Sequence, residues 1–193
     1  MTTAALSPAS SPAPAADPTG NTRQAILDAA KEAFSTKGYA GAGVREITAA
    51  AGVSMALVNR YFGSKERLFE EALAEMLGGD RLMEAPRERF GEVVAGLLLS
   101  GDIRTSNPLS TMMLASADPG ARAIAQRLVI ERVYEPLARW FGPKEGHERA
   151  ARFMFVSAGL TVYTQIFRLD VLQPEPAPSI REWLVREFQA LAD

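Results

Sequence analysis

Asn59, Arg60, Tyr61 and Lys65 fall within the seven residues NRYFGSK. An amide, a guanidinium, a phenol hydroxyl and an ammonium in so short a span are the groups that bond phosphate oxygens and base edges. A buried helix does not carry three such polar side chains together, and a purely solvated one does not display both Tyr61 and Phe62. The set is a poor basis for catalysis. The chain has no cysteine and one histidine, His147, in the polar stretch GPKEGHERA, read as a surface residue at a helix start. A thiol nucleophile, cysteine-ligated zinc and a disulfide framework are therefore excluded, and a serine triad or an all-histidine metal site is poorly supplied. No convergent set of titratable groups marks an active site. No catalytic residue, metal ligand or cofactor is expected.

The elements that must position these groups are two short helices around a glycine. Gly52 can take the left-handed backbone angle of a sharp turn, Val53 can plug the angle between the helices, and Ser54 can cap the second one. On that helix Val58 and Phe62, four residues apart, face a core, which leaves Met55, Ala56, Asn59 and Arg60 facing outward. This is the helix-turn-helix layout, whose second helix enters a DNA major groove. Asn59 can bond base edges or phosphate, Arg60 guanine or phosphate, and the Tyr61 hydroxyl a phosphate. Gly63 stops this helix. Ser64 caps a fourth, which carries Leu68, Phe69, Leu73 and Met76 and whose first amides, beside Lys65, form an anion site. The helix before the turn runs from Val44 to Ala51, with Val44, Ile47 and Ala51 inward. Before it, Asn21 or Thr22 caps a helix whose Ile26, Ala30, Ala33 and Phe34 share one face and which Gly38 ends. Gly38, Gly41 and Gly43 lack the strand and spacing of a dinucleotide loop and are read as turn glycines.

Charge is divided along the chain. Residues 21–67 hold seven Lys/Arg against four Asp/Glu, and residues 68–193 hold 14 against 18. A small basic unit joined to a larger acidic one hints at a polyanion partner for the first. Residues 1–20, rich in Ala, Ser and Pro, read as a disordered tail. They lack a signal peptide's basic start and apolar core, and no apolar run approaches the roughly 20 residues of a membrane span. Beyond the fourth helix the periodicity predicts helices over 86–99, 106–117, 119–141, 145–169 and 179–191. Asn107-Pro108, Asp118-Pro119 and Gly142-Pro143 mark boundaries, and QPEPAPS at 173–179 reads as a stiff linker. There are no strand pairs and no internal repeat.

The stretch VREITAAAGVSMALVNRYFGSKERLF resembles the N-terminal signature of the tetracycline-repressor family of bacterial transcription regulators. The likeness runs over about residues 22–69, with AGVS, YF-x-SKE and Leu68-Phe69 in order and at the family's spacing. Three positions depart from the pattern. Ala42-Gly43 stands where threonines are frequent, Asn59 where a tyrosine is frequent, and Leu57 where a small polar residue is usual. Leu57 could contact a thymine methyl. With Arg45, the candidate DNA-contact set is Arg45, Ser54, Met55, Ala56, Leu57, Asn59, Arg60, Tyr61 and Lys65.

The resemblance implies an all-α protein. The expected division is a tail (1–20), a three-helix DNA-binding domain (21–66) and a helical ligand-binding and dimerisation domain (67–193). It implies a homodimer that binds a palindromic double-stranded operator, and a small-molecule inducer that releases it. The last two long helices would form the dimer interface through Ala158, Gly159, Val162, Ile166, Ile180, Trp183, Leu184 and Phe188. Met76, Met112, Met113, Phe155 and Tyr163 are candidate linings for an apolar pocket, since Met and aromatics adapt to apolar guests. The expected location is the cytoplasm, on the nucleoid, with no membrane partner. Two alternatives stay open: a dimeric DNA-binding protein without a small-molecule ligand, and a helical enzyme or carrier.

Overall fold

The computed structural model describes residues 18–78, 80–99, 107–173 and 176–193, and every regular element among them is helical. Helix α1 spans Pro18–Gly41. It begins three residues before the expected cap, because Pro18 is pre-set for a first turn, so Asn21 and Thr22 lie inside the helix. Gly38, at φ 68°, kinks it near its end. Most of the expected tail lies outside the described residues, and its last three residues belong to α1. Helices α2 (Val44–Ala50), α3 (Met55–Phe62) and α4 (Lys65–Met76) follow. After a short α5 (Asp80–Met83), a 3-10 turn at Arg87–Arg89 leads into α6 (Phe90–Leu99).

Asn107 caps α7 (Pro108–Ala115) by accepting from the Leu109 amide at 2.8 Å. Asp118 caps α8 (Pro119–Val129) by accepting from the Ala121 amide at 2.9 Å. A π-turn at Ile130–Tyr134 joins α8 to α9 (Glu135–Phe141). Helix α10 (Gly146–Thr161) also runs into a π-turn, Val162–Ile166, and α11 is Pro178–Ala192. In the expected linker, residues 174 and 175 lie outside the described set.

Two aromatic clusters anchor the core. In the first half of the chain Phe69 meets Phe34 edge-on at 5.1 Å and Tyr39 at 5.2 Å. In the second half Phe90 stacks on Trp140 at 4.7 Å, and Phe153 lies 5.5 Å from Phe188. Helix α4 sits between the halves and touches α1, α7 and α8. Helix α11 lies on α6 so closely that a Cβ at Gly91 would clash with the Val185 carbonyl. Gln189 fastens this crossing: its Oε1 accepts from the Gly91 amide at 3.0 Å and its Nε2 donates to the Arg87 carbonyl at 2.8 Å.

That crossing corrects part of the expected dimer surface. Leu184 and Phe188 are buried within the protomer, where α6 and α10 already cover them. Trp183, on the other flank of α11, is 44% exposed, and Ile166 is exposed as well. Ala158, Gly159, Val162 and Ile180 are half-buried, and a Cβ at Gly159 would meet nothing within 4 Å.

Candidate nucleic-acid interface

The turn between α2 and α3 is set by its hydrogen bonds. The Val53 amide donates to the Thr48 carbonyl at 3.0 Å and the Gly52 amide to the Ala49 carbonyl at 3.2 Å. This pair of bonds is a Schellman ending, which needs a left-handed residue at Gly52, found at φ 67°. Half-buried Val53 packs against the core directly after it. Ser54 occupies the N-cap of α3, but its side chain accepts no capping bond. The expected side-chain cap is therefore absent: the exposed hydroxyl stays turned to solvent. In α4 the cap is made, with Ser64 Oγ accepting from the Arg67 amide at 3.2 Å.

Helix α3 divides as its spacing requires. Val58 and Phe62 are buried, while Met55, Ala56, Asn59 and Arg60 are exposed. Leu57 and Tyr61 are half-buried and pack on the core, Tyr61 with its ring 6.3 Å from that of Phe62. Leu57 thus has a packing role beside any contact with a base. Arg45 is exposed on α2.

Six of the seven cations in residues 21–67 sort into two groups. Arg23 pairs with Glu71, Lys31 with Asp28 and Glu75, and Lys37 with Glu46, so these stabilise the unit itself. Arg45, Arg60 and Arg67, on α2, α3 and the first turn of α4, make no ion pair with an acid among the described residues. Three uncommitted guanidiniums, the exposed Asn59 amide and the start of α4 give a surface able to bond phosphates and base edges.

Two participants are missing from the set drawn from sequence. Arg67 is exposed on α4, on the face opposite buried Leu68 and Phe69; its place in the first turn of α4, where the free amides favour an anion, is the signal that could have found it. Tyr39 is buried, and its hydroxyl donates to Glu66 Oε1 at 3.0 Å. Burial first, then this bond and the Glu66 charge, push the Tyr39 hydroxyl up to about 12. The Glu66 carboxyl is held below its ordinary value, chiefly by its own backbone amide, then by Ser64 and Tyr39. The Lys65 ammonium stands 4.5 Å from the centroid of the Tyr39 ring. The only hint of Tyr39 in sequence is an aromatic directly after the glycine that ends a helix.

The candidate pocket residues are scattered between interior and surface. Met76 and Met112 are half-buried, with the Thr111 hydroxyl 3.9 Å from Met76 Sδ. Met113, Tyr163 and, at 74%, Phe155 are exposed. Phe155 points away from the protomer's interior and cannot line a cavity inside it. Among the described residues no group of three or more His, Cys, Asp or Glu could hold a metal, and no helix is long and apolar enough to cross a membrane.

Comparison with known proteins agrees with this geometry. Residues 26–72 match the family model of bacterial regulatory proteins, tetR family, and residues 88–191, more than half of the chain, match the tetracyclin repressor-like C-terminal domain. The transcriptional repressor AcnR of Corynebacterium glutamicum is 36% identical over 104 residues, 47% of this chain and 55% of that protein. The matched part thus spans about half the length of that relative. The transcriptional regulatory protein RaaS of Mycobacterium tuberculosis is 32% identical over 155 residues, 75% of this chain and 70% of that one. A crystal structure of a TetR-family regulator from Streptomyces coelicolor superposes with a TM-score of 0.55 at 24% identity, over 93% of this chain and 99% of the other, which shows the shared fold. On the matched helix-turn-helix and the C-terminal domain together, the chain belongs to the tetR family of bacterial regulatory proteins.

Proposed function

We propose that the chain is a sequence-specific DNA-binding transcription regulator, a repressor that holds a palindromic operator as a homodimer and leaves it when a small molecule binds. The observation that carries this is the outward face of α3. Asn59 and Arg60 are exposed over buried Val58 and Phe62, and Arg45 on α2 and Arg67 on α4 are exposed as well. Residues 21–66 serve as the DNA unit and residues 67–193 as the sensing and dimerising unit. The protein acts in the cytoplasm, on the nucleoid. Exposed Phe155, Tyr163, Ile166 and Trp183 supply apolar surface for the second protomer. Met76 and Met112 are the candidates for a small-molecule site between helices.

The exposure of Met113, Phe155 and Tyr163 favours one second reading, a dimeric DNA-binding protein without a small-molecule ligand. Two experiments test these readings. Selection of bound duplexes from a random pool should enrich a palindrome; a bound fraction no different from the input would refute the DNA-binding reading. A thermal-shift screen with apolar compounds should raise the Tm for some of them. A hit must then weaken operator binding by the same factor by which operator weakens its own binding. If no compound does both, the ligand-free reading stands.

A further inference from the structure

Arg127 on α8 holds two carboxylates. Its Nη2 donates to Glu70 Oε1 on α4 at 2.6 Å, and its Nη1 to Glu131 Oε2 at 3.4 Å. Glu131 belongs to the π-turn Ile130–Tyr134, which packs on α10. The other flank of α4 is fastened to α1: Arg23 pairs with Glu71, Lys31 with Glu75 at 2.9 Å, and Gln24 donates to Glu75 at 3.1 Å. So α4 is bound to the DNA unit by several polar contacts, and the ion pair that ties it to α8 comes from a guanidinium with a second acid in reach.

We propose that Arg127 is a positioning residue shared by Glu70 and Glu131, and that the balance between its two bonds sets how firmly α4, and with it the DNA unit, is held against α8. Paired with Glu70, it fixes the angle of α4. Drawn wholly to Glu131, it frees α4 from the α8 guanidinium and leaves the packing of α1 and α4 on α7 to hold the DNA unit. The π-turn makes the balance adjustable. Losing its extra residue would rotate α8 relative to α9 by about 100°, the angle of one residue in a helix, and carry Arg127 off Glu70. The inference rests on the reading of the chain as a regulator that binds a palindrome with two DNA units. Arg127 and Glu70 are 46% and 38% exposed, so one such pair changes an equilibrium by roughly two- to fivefold. That is a tuning element within the roughly 5- to 150-fold range of allosteric coupling.

The test removes each carboxylate in the full-length protein. Glu70→Gln and Glu131→Gln each delete one negative charge, so a long-range field effect would raise DNA affinity in both. The latch requires opposite signs on a palindromic duplex selected by the unaltered protein: Glu70→Gln weakens binding roughly two- to fivefold, and Glu131→Gln leaves it tighter. Both effects should vanish in an Arg127→Gln background, and the salt slope should not change, because no phosphate contact is lost. Changes of the same sign, or effects that persist without Arg127, would overturn the proposal. A DNA-independent readout separates it from the functional reading. The chain has no cysteine, so a spin label at Ala50→Cys is unique in each protomer. The label-to-label distance distribution of the dimer should broaden with Glu70→Gln and narrow with Glu131→Gln. That response without any selected duplex would sink the DNA-binding reading and keep the latch; a selected duplex with an unresponsive distribution would do the reverse.

Discussion

The Lys65 ammonium and the Tyr39 ring lie 4.5 Å apart, so the first residue of α4 rests on the residue that follows the α1 kink. The ring steers the ammonium without neutralising it. Lys65→Ala should weaken binding to every duplex alike and shrink the dependence of log K on log salt by about one unit. Titrations of the selected palindrome and of an unrelated duplex at several salt concentrations measure both. An unchanged slope would remove Lys65 from the phosphate contacts.

Tyr39→Phe deletes the bond to Glu66 and should lower stability by roughly 0.5–1.5 kcal/mol at neutral pH, read from denaturant unfolding. The folded protein holds the Tyr39 proton more tightly than the unfolded chain. That contribution is complete below the ordinary tyrosine value of about 10 and is lost as the pH rises toward about 12. An absorbance titration of the four tyrosines should show one late ionisation that the variant lacks. If the ionisation lost in the variant is not a late one, the Tyr39 hydroxyl stands in solvent.

Arg60→Ala and Asn59→Ala should change which sequences are preferred. A lost base-edge contact costs roughly 1–3 kcal/mol at one or two base pairs. Repeating the selection with each variant measures this. A uniform loss over all sequences would assign both side chains to phosphates instead.

Gly91→Ala should destabilise the protein by roughly 1–3 kcal/mol, since its Cβ collides with backbone that cannot swing aside. Gly159→Ala is the control, because a Cβ there meets nothing within 4 Å of its own chain. Thermal unfolding of the two should separate them. If Gly91→Ala melts with the unaltered protein, the α6–α11 crossing is looser than described.

The helix-turn-helix was legible because its signals are local. The Gly52 and Val53 amides end α2 through bonds three and five positions back, and the four-residue spacing of Val58 and Phe62 names a buried face. The C-terminal half was legible as helices but not as surfaces. Leu184 and Phe188 share a helix with Trp183, and an apolar stripe does not say whether its own fold or a partner covers it. The answer depended on Gly91, which lets α6 approach α11. Phe155 turned out exposed on the protomer for the same reason: spacing fixes a helical face, not what that face meets. Tyr39 was missed because its partner Glu66 is 27 residues away, beyond any local pattern. The Ser54 side-chain cap was expected from residue type alone, yet the hydroxyl makes no such bond.

Two protomers are expected to present two copies of α3 to one face of a duplex, about one DNA turn apart. The measurement that tests it most directly is affinity for the selected palindrome as its central spacer is lengthened. Adding about five base pairs, half a turn, puts the half-sites on opposite faces and should abolish tight binding, and adding about ten should restore part of it. Affinity that ignores the spacer would contradict the claim and leave a protein that binds each half-site alone.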